Sequence, residues 1–329
     1  MLKLNKSFRP NPLIVILLAC LVVITGIAVG EAWAKEKKNV VMLRWRYKDR
    51  SEEAFEKVLN SSQYEIIWQD FCADEKKDKL AEIIKSLDTS KIDLIYAFGT
   101  TVTKALKEAI KDVPIVFNIV TDPVAAGVVD SWEHSGNNFT GASNGVPVES
   151  QIKSLKQVMD FKRLGMLHNP SEANSVILRD GANALEGKYG FTLIEAKFTT
   201  KEDLDSAIKT LMDERADAVW LSSISAVIAN KDIILKAINE KKLPTMTTQI
   251  NFVDIKDKDA ALIGLGPDYY KLGELAGQKA LEIFAGKKPN DIPSETLKTF
   301  DLIINLQTAR KIGIKIPVKI LKMATKIIE

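Results

Sequence analysis

From Asn39 onward the sequence alternates between short apolar runs and amphipathic stretches, a pattern with few folded solutions. The first runs are VVMLRW (40–45), YEIIWQ (64–69), IDLIYAFG (92–99), PIVFNIV (114–120) and NNFTGAS (137–143). Between them, segments such as Glu75 to Leu87 and Thr101 to Lys111 carry Leu, Ile and Ala at helical spacing with Lys and Glu between. Apolar runs that do not alternate with polar residues predict strands covered on both faces, hence a parallel sheet flanked by helices.

The same rhythm restarts with RLGMLHNP (163–170), FTLIEAKF (191–198), ADAVWLSS (216–223) and LPTMTTQI (243–250). A further strand, AALIGLG (260–266), a long helix from Tyr269 to Ala285, and FDLIINLQTARKIGI (300–314) follow. The fold class predicted is therefore α/β, with two lobes of similar build. No low-complexity linker separates them, so short crossings forming a hinge are expected in place of a flexible tether.

The first 34 residues stand outside this pattern. Lys3, Lys6 and Arg9 precede an apolar run from Leu13 to Gly30, and Ala32-Trp33-Ala34 places small residues where a signal peptidase cuts. Residues 1–34 read as a signal peptide, which predicts an exported, periplasmic protein. The length of the apolar run leaves an uncleaved membrane anchor as an alternative, and Leu17-Leu18-Ala19-Cys20 offers a lipidation box at Cys20 as another. The whole chain has 46 Lys and Arg against 43 Asp and Glu, and three of those cations lie in this leader. What remains is nearly neutral, which argues against nucleic acid as a partner. Cys72 alone remains of the two cysteines, so the fold is held by its core and not by an internal disulfide.

In parallel sheets, ligands bind beyond the carboxyl ends of the strands, where helix N-termini present free N–H groups. The residues at those ends are Trp45-Arg46-Tyr47, Gly99-Thr100-Thr101, Thr121-Asp122-Pro123, Ser143-Asn144, Asn169-Pro170-Ser171-Glu172, Ser222-Ser223 and Thr248-Gln249. Nearly all are polar. Each alone is explained by capping or turn formation, but their recurrence in both halves predicts one ligand-binding rim. Enzyme signatures fail. Gly264-Leu265-Gly266 has Tyr269 where a dinucleotide fingerprint requires its third glycine, there is no phosphate loop, and His134 and His168 form no zinc spacing. No catalytic residue, metal or cofactor is expected.

Taken in order, FGTTVTKAL (98–106), PIVFNIVTDPVAAGVV (114–129), NNFTGAS (137–143), HNPSEANS (168–175), PDYYKLG (267–273), FAGKKPNDIP (284–293) and IINLQTARKIGIKIP (303–317) resemble the ABC-transporter substrate-binding proteins that include tryptophan- and phenylalanine-binding members. The resemblance covers the chain beyond the leader. It implies a type 1 periplasmic-binding-protein fold, two doubly wound parallel-sheet lobes joined by a three-strand hinge. Lobe 1 would take residues 35–146 and about 260–297, and lobe 2 residues 147–259 and about 298–329. A small ligand would lie in the cleft, delivered by a monomeric binding protein to a membrane permease; a sensor domain serving a membrane kinase or chemoreceptor is the alternative.

The resemblance also assigns roles. Gly99 and the N–H groups of Thr100 and Thr101 would hold a carboxylate, while Thr121, Asp122 and Ser143 would orient the polar end of the ligand. Trp45 or Tyr47 would stack on its apolar part, and Asn169, Glu172, Asn174, Ser175 and Ser222 would close from the second lobe, with Asn144 and Gln249 completing the rim. Two departures bear on the ligand. Ser222, Ser223 and Ser225 stand in LSSISAVIAN (221–230), where amino-acid-binding relatives usually carry an aspartate, and Asn144 stands at another position that is often aspartate. An amino acid or a related aromatic acid is the expected ligand, with Asp122 or Glu172 left to meet an ammonium.

Overall fold

The computed structural model describes residues 35–329 apart from Asp257. The signal-peptide, anchor and Cys20 readings therefore lie outside the described residues. Thirteen strands follow in chain order: β1 (Lys37–Arg44), β2 (Glu65–Cys72), β3 (Leu94–Phe98), β4 (Ile115–Val120), β5 (Phe139–Ser143), β6 (Arg163–His168), β7 (Thr192–Lys197), β8 (Ala218–Leu221), β9 (Thr245–Thr247), β10 (Ile263–Gly266), β11 (Glu295–Thr296), β12 (Asp301–Asn305) and β13 (Lys326–Ile328). They form two sheets, ordered β11-β5-β4-β3-β1-β2 and β13-β12-β10-β9-β8-β6-β7. Pairing is parallel throughout except for β10 with β12, which run antiparallel.

The first sheet is apolar on both faces. Val41, Leu43, Ile95, Ala97, Ile115 and Phe117 enter one cluster, whereas their neighbours Val40, Met42, Leu94, Tyr96, Phe98 and Val116 enter another. Because successive side chains point to opposite faces, a strand buried twice needs an unbroken apolar run, and this is why these strands read as they do. The second sheet carries one continuous core that includes Leu164, Met166, Val219, Trp220, Met246 and Ile263.

The helix Tyr269–Phe284 completes the first lobe although it follows the last central strand of the second. Asp268 caps it by accepting from Tyr270 N–H at 2.9 Å. It packs on the helix Arg50–Asn60 at very close range: a Cβ added to Gly273 would lie 2.0 Å from the Ser51 carbonyl oxygen, and one added to Gly277 would lie 2.7 Å from Val58 Cβ. Glycine at these positions lets the two backbones meet and bury Leu272, Ala276 and Ala280 against Phe55 and Leu59.

The chain crosses between sheets three times: between β5 and the helix Val148–Val158, between β10 and the helix Tyr269–Phe284, and between β11 and β12. The sequence-based division needs a correction here. The strand at 260–266 was expected to open the return to lobe 1, but β10 pairs with β9 and β12 in the second sheet. Its apolar run identifies a strand without naming its neighbours. Two short strands, β11 and β13, also escaped the sequence reading, being only two and three residues long.

Candidate functional site

The carboxyl ends of the two sheets face each other across a cleft, and a cavity of about 30 Å3 lies between them. On the first lobe its wall is built by Trp45, Arg46, Phe98, Gly99, Thr100 and Thr101, with Ile119 and Tyr269. Asn144 lines it from the first crossing, and Glu172, Asn174, Ser223, Ser225 and Ile228 from the second lobe. An adjoining chamber of about 120 Å3 shares Arg46, Ile228 and Tyr269 and is otherwise lined by residues that include Tyr47 and Gln249.

Gly99 is where β3 turns into the helix Thr100–Ala109, with φ +86° and ψ 157°, a region closed to residues with a Cβ. The turn sets the start of that helix against the cavity, and a helix N-terminus is an electropositive end suited to an anion. Two polar atoms in this wall are buried without a protein partner, Thr100 Oγ1 and Asn144 Oδ1. Buried polar atoms are nearly always hydrogen-bonded, and both of these belong to residues that line the one cavity.

Arg46 brings a cation to the same wall. It is only 5% exposed, and its guanidinium lies 4.8 Å from the ring centroids of both Tyr47 and Phe98. Nη2 pairs with Asp49 at 3.0 Å. Burial disfavours its charge, but Asp49 and neighbouring groups outweigh this and hold its pKa above the ordinary value. Opposite, Glu172 accepts from Ser225 N–H at 2.7 Å, Ala226 N–H at 3.0 Å and Asn169 Nδ2 at 3.1 Å. These bonds fix the carboxylate in the second-lobe wall.

Of the residues expected from sequence, Trp45, Gly99, Thr100, Thr101, Asn144, Glu172 and Asn174 line the cavity, and Tyr47 and Gln249 line the adjoining chamber. Six do not. Thr121 and Asp122 border a separate depression of about 370 Å3 with Trp132, Val146 and Phe300. There Asp122 Oδ1 accepts from Val124 N–H at 3.1 Å and Ala125 N–H at 2.9 Å, so this carboxylate caps its own turn. Ser143 donates to the Thr121 carbonyl at 3.1 Å and accepts from Gly145 N–H at 2.9 Å, closing the same corner.

Asn169 sits behind Glu172, and Ser175 bonds the His168 ring at 2.9 Å and accepts from Asn169 N–H at 2.9 Å. Ser222 is buried outside the lining, its hydroxyl without a partner. The side chains of Asp122, Ser143, Asn169 and Ser175 thus serve local backbone or a neighbour, as capping residues do.

Of the other lining residues, the sequence placed Arg46 and Ser223 on the rim without giving them a role, and Phe98, Ile119, Ser225, Ile228 and Tyr269 were not expected to bind. Arg46 had a signal, a cation between two aromatics at a strand end. Tyr269 stood within PDYYKLG (267–273), which gave it no binding role, since it is placed at the cavity by the return of a distant helix.

A family model described as ABC transporter substrate binding protein matches residues 46–328. The chain belongs to that family. This binding protein is 30% identical, over 86% of its own length and 83% of the relative's, to the tyrosine-binding protein of Clostridioides difficile strain R20291. Among solved structures, the ABC domain of Streptococcus pneumonia in complex with L-Trp superposes with a TM-score of 0.81 at 23% identity, covering 89% of this chain and all of that one. The ligand-free, open substrate binding protein with adhesive properties from Clostridium difficile gives 0.66 at 26% identity, covering 89% of this chain and 99% of that one. The fold is that of the type 1 periplasmic binding proteins. Among the described residues, no helix is long and apolar enough to cross a membrane.

Proposed function

We propose that this binding protein captures an amino acid between its lobes outside the cytoplasmic membrane and delivers it to the permease of an ABC transporter. The observation that carries this reading is the interlobe cavity lined by a helix start, a buried arginine and Glu172, two of whose other lining residues, Thr100 and Asn144, each hold an unpartnered buried oxygen. In the proposed mode, the α-carboxylate sits at the Thr100 and Thr101 N–H groups within reach of Arg46. The ammonium faces the remaining acceptor capacity of Glu172. Trp45, Phe98, Ile119 and Ile228 surround the side chain, a lining that favours an apolar or aromatic body. The tyrosine-binding relative supports an amino acid of that kind.

The cavity and its adjoining chamber lie between the lobes, so the lobes part to admit an amino acid and close on it. Calorimetric titration of the purified protein with the twenty amino acids, their deaminated acids and a panel of sugars tests the proposal. The expected outcome is one or a few apolar or aromatic amino acids binding tightly. At about 100 times its Kd, such a ligand stabilises the fold by about 2.7 kcal/mol. Binding of a sugar with no response to any carboxylate-bearing compound would overturn it.

A further inference from the structure

We propose that Tyr269 is a latch between the lobes, its hydroxyl carried by a first-lobe helix and bonded to second-lobe side chains so that it favours the closed arrangement. This deepens the reading above and rests on it for the role of the cleft, though not for the identity of the ligand.

The hydrogen-bond directions are fixed by chemistry. The Tyr269 hydroxyl lies 3.0 Å from Asn144 Nδ2 and 2.7 Å from Gln249 Nε2, and both amide nitrogens can only donate. Its own proton is then directed to Ser223 Oγ, at 3.2 Å. Gln249 Nε2 also donates to Ser223 Oγ, which closes a triangle of three side chains. Burial raises the Tyr269 pKa, so the phenol keeps the proton it donates.

The partners belong to different bodies. Ser223 follows β8 and Gln249 follows β9, both in the second sheet. The Tyr269 helix is packed into the first lobe through Leu272, Ala276 and Ala280. Asn144 lies just after β5, where the chain leaves the first sheet. Opening the cleft must therefore separate the phenol from Ser223 and Gln249 and give each group to water. The exchange is modest for each bond, but it acts on the equilibrium that a ligand also shifts. Tyr270, the next residue, is a built-in contrast: its hydroxyl meets Lys57 within the first lobe.

The test compares the unaltered protein with Tyr269→Phe and Tyr270→Phe. Small-angle X-ray scattering without ligand is the first readout, and the kinetics of L-tyrosine binding are the second. Tyr269→Phe is expected to raise the radius of gyration of the ligand-free protein and, with L-tyrosine bound, to return to the compact value. Its Kd should rise roughly tenfold, mainly through faster dissociation, because the latch forms after encounter. Tyr270→Phe should change neither quantity.

Ser223→Ala combined with Gln249→Leu approaches the latch from the other lobe and should open the ligand-free protein to the same extent. That keeps the idea testable should Tyr269→Phe fold poorly. An unchanged radius of gyration in Tyr269→Phe and in the double variant overturns the latch. Opening without any response to L-tyrosine upholds the latch and counts against the ligand reading alone.

Discussion

Asn118 holds Ile119 in a backbone conformation that isoleucine otherwise avoids. Ile119 has φ +58°, and its N–H is bonded at 3.0 Å by the Oδ1 of Asn118, while Asn118 Nδ2 donates to the Tyr96 hydroxyl at 3.1 Å. The register of β4 against β5 shifts at this point, and the bulge turns Ile119 into the cavity wall. A β-branched residue with positive φ is a strained conformation that its surroundings must impose. The single polar residue in an otherwise apolar strand is thereby explained.

Asn118→Leu should destabilise the fold by about 1–3 kcal/mol, because it leaves the Ile119 N–H without its partner and takes a bond from the Tyr96 hydroxyl. Urea unfolding measures this. Ligand affinity should fall as well, since the bulge relaxes; a variant of native stability and native affinity would show that the bulge holds itself.

Gly99→Ala isolates backbone strain from steric clash. An added Cβ would meet Trp45 Cβ at 3.9 Å, ordinary van der Waals contact, so the cost comes from φ +86°. The expected loss is about 1–3 kcal/mol, accompanied by weaker ligand binding as the helix start tilts away from the cavity. Melting temperature and calorimetry on the same preparation separate the two effects.

Glu172 serves both the fold and the proposed ammonium site, and two substitutions divide these roles. Glu172→Ala orphans the Ser225 and Ala226 N–H groups and should cost about 2 kcal/mol or more. Glu172→Gln keeps one carbonyl acceptor, and with it either the Ser225 or the Ala226 bond, but not the charge. It should weaken L-tyrosine markedly while leaving the deaminated analogue, 3-(4-hydroxyphenyl)propionate, nearly unaffected. Equal losses for both compounds would remove Glu172 from contact with an ammonium.

Glu52 makes stability depend on pH. It is fully buried, and burial first, then the charge of Asp49, push its pKa from 4.5 up to about 8. Asp49 N–H donates to it at 3.0 Å, Ser51 Oγ is at 3.1 Å and the Tyr96 hydroxyl at 3.4 Å; Arg46 lies beyond Asp49.

As pH rises past 4.5 the unfolded chain loses this proton while the folded chain keeps it until about 8. The contribution to stability is thus fully present below 4.5 and declines across the window, by at most about 1.4 kcal/mol per pH unit. Urea titrations at several pH values across that window should show a steeper decline for the natural protein than for Glu52→Gln. Parallel profiles would mean that the buried carboxyl does not carry the effect.

What the sequence disclosed and what it hid follow from the range of the forces involved. Strands such as 94–98 and 115–120 were legible because burial on both faces demands an unbroken apolar run. The Gly99-Thr100-Thr101 corner was legible because a strand end, a glycine and a helix start are neighbours in sequence. Thr121-Asp122-Pro123 had the same appearance and a different role, since a capping aspartate and a binding aspartate cannot be told apart until the turn is seen to satisfy the carboxylate. Tyr269 and Ile119 were hidden for the opposite reason. One reaches the cavity through an interlobe crossing and the other through a bulge, and neither leaves a local pattern.

The helix Tyr269–Phe284 also governs when the protein can finish folding. Val40, Met42 and Phe55 are made early, yet the cluster that buries them is completed by Leu272, Ala276, Ala280 and Ile292 from the last quarter of the chain. One face of the first sheet therefore stays uncovered during most of synthesis, while the strands β6 to β10 of the second sheet emerge in one unbroken stretch. The second sheet waits as well, since β12 and β13 join it from residues 301–328, so neither core is complete until the last quarter of the chain has been made.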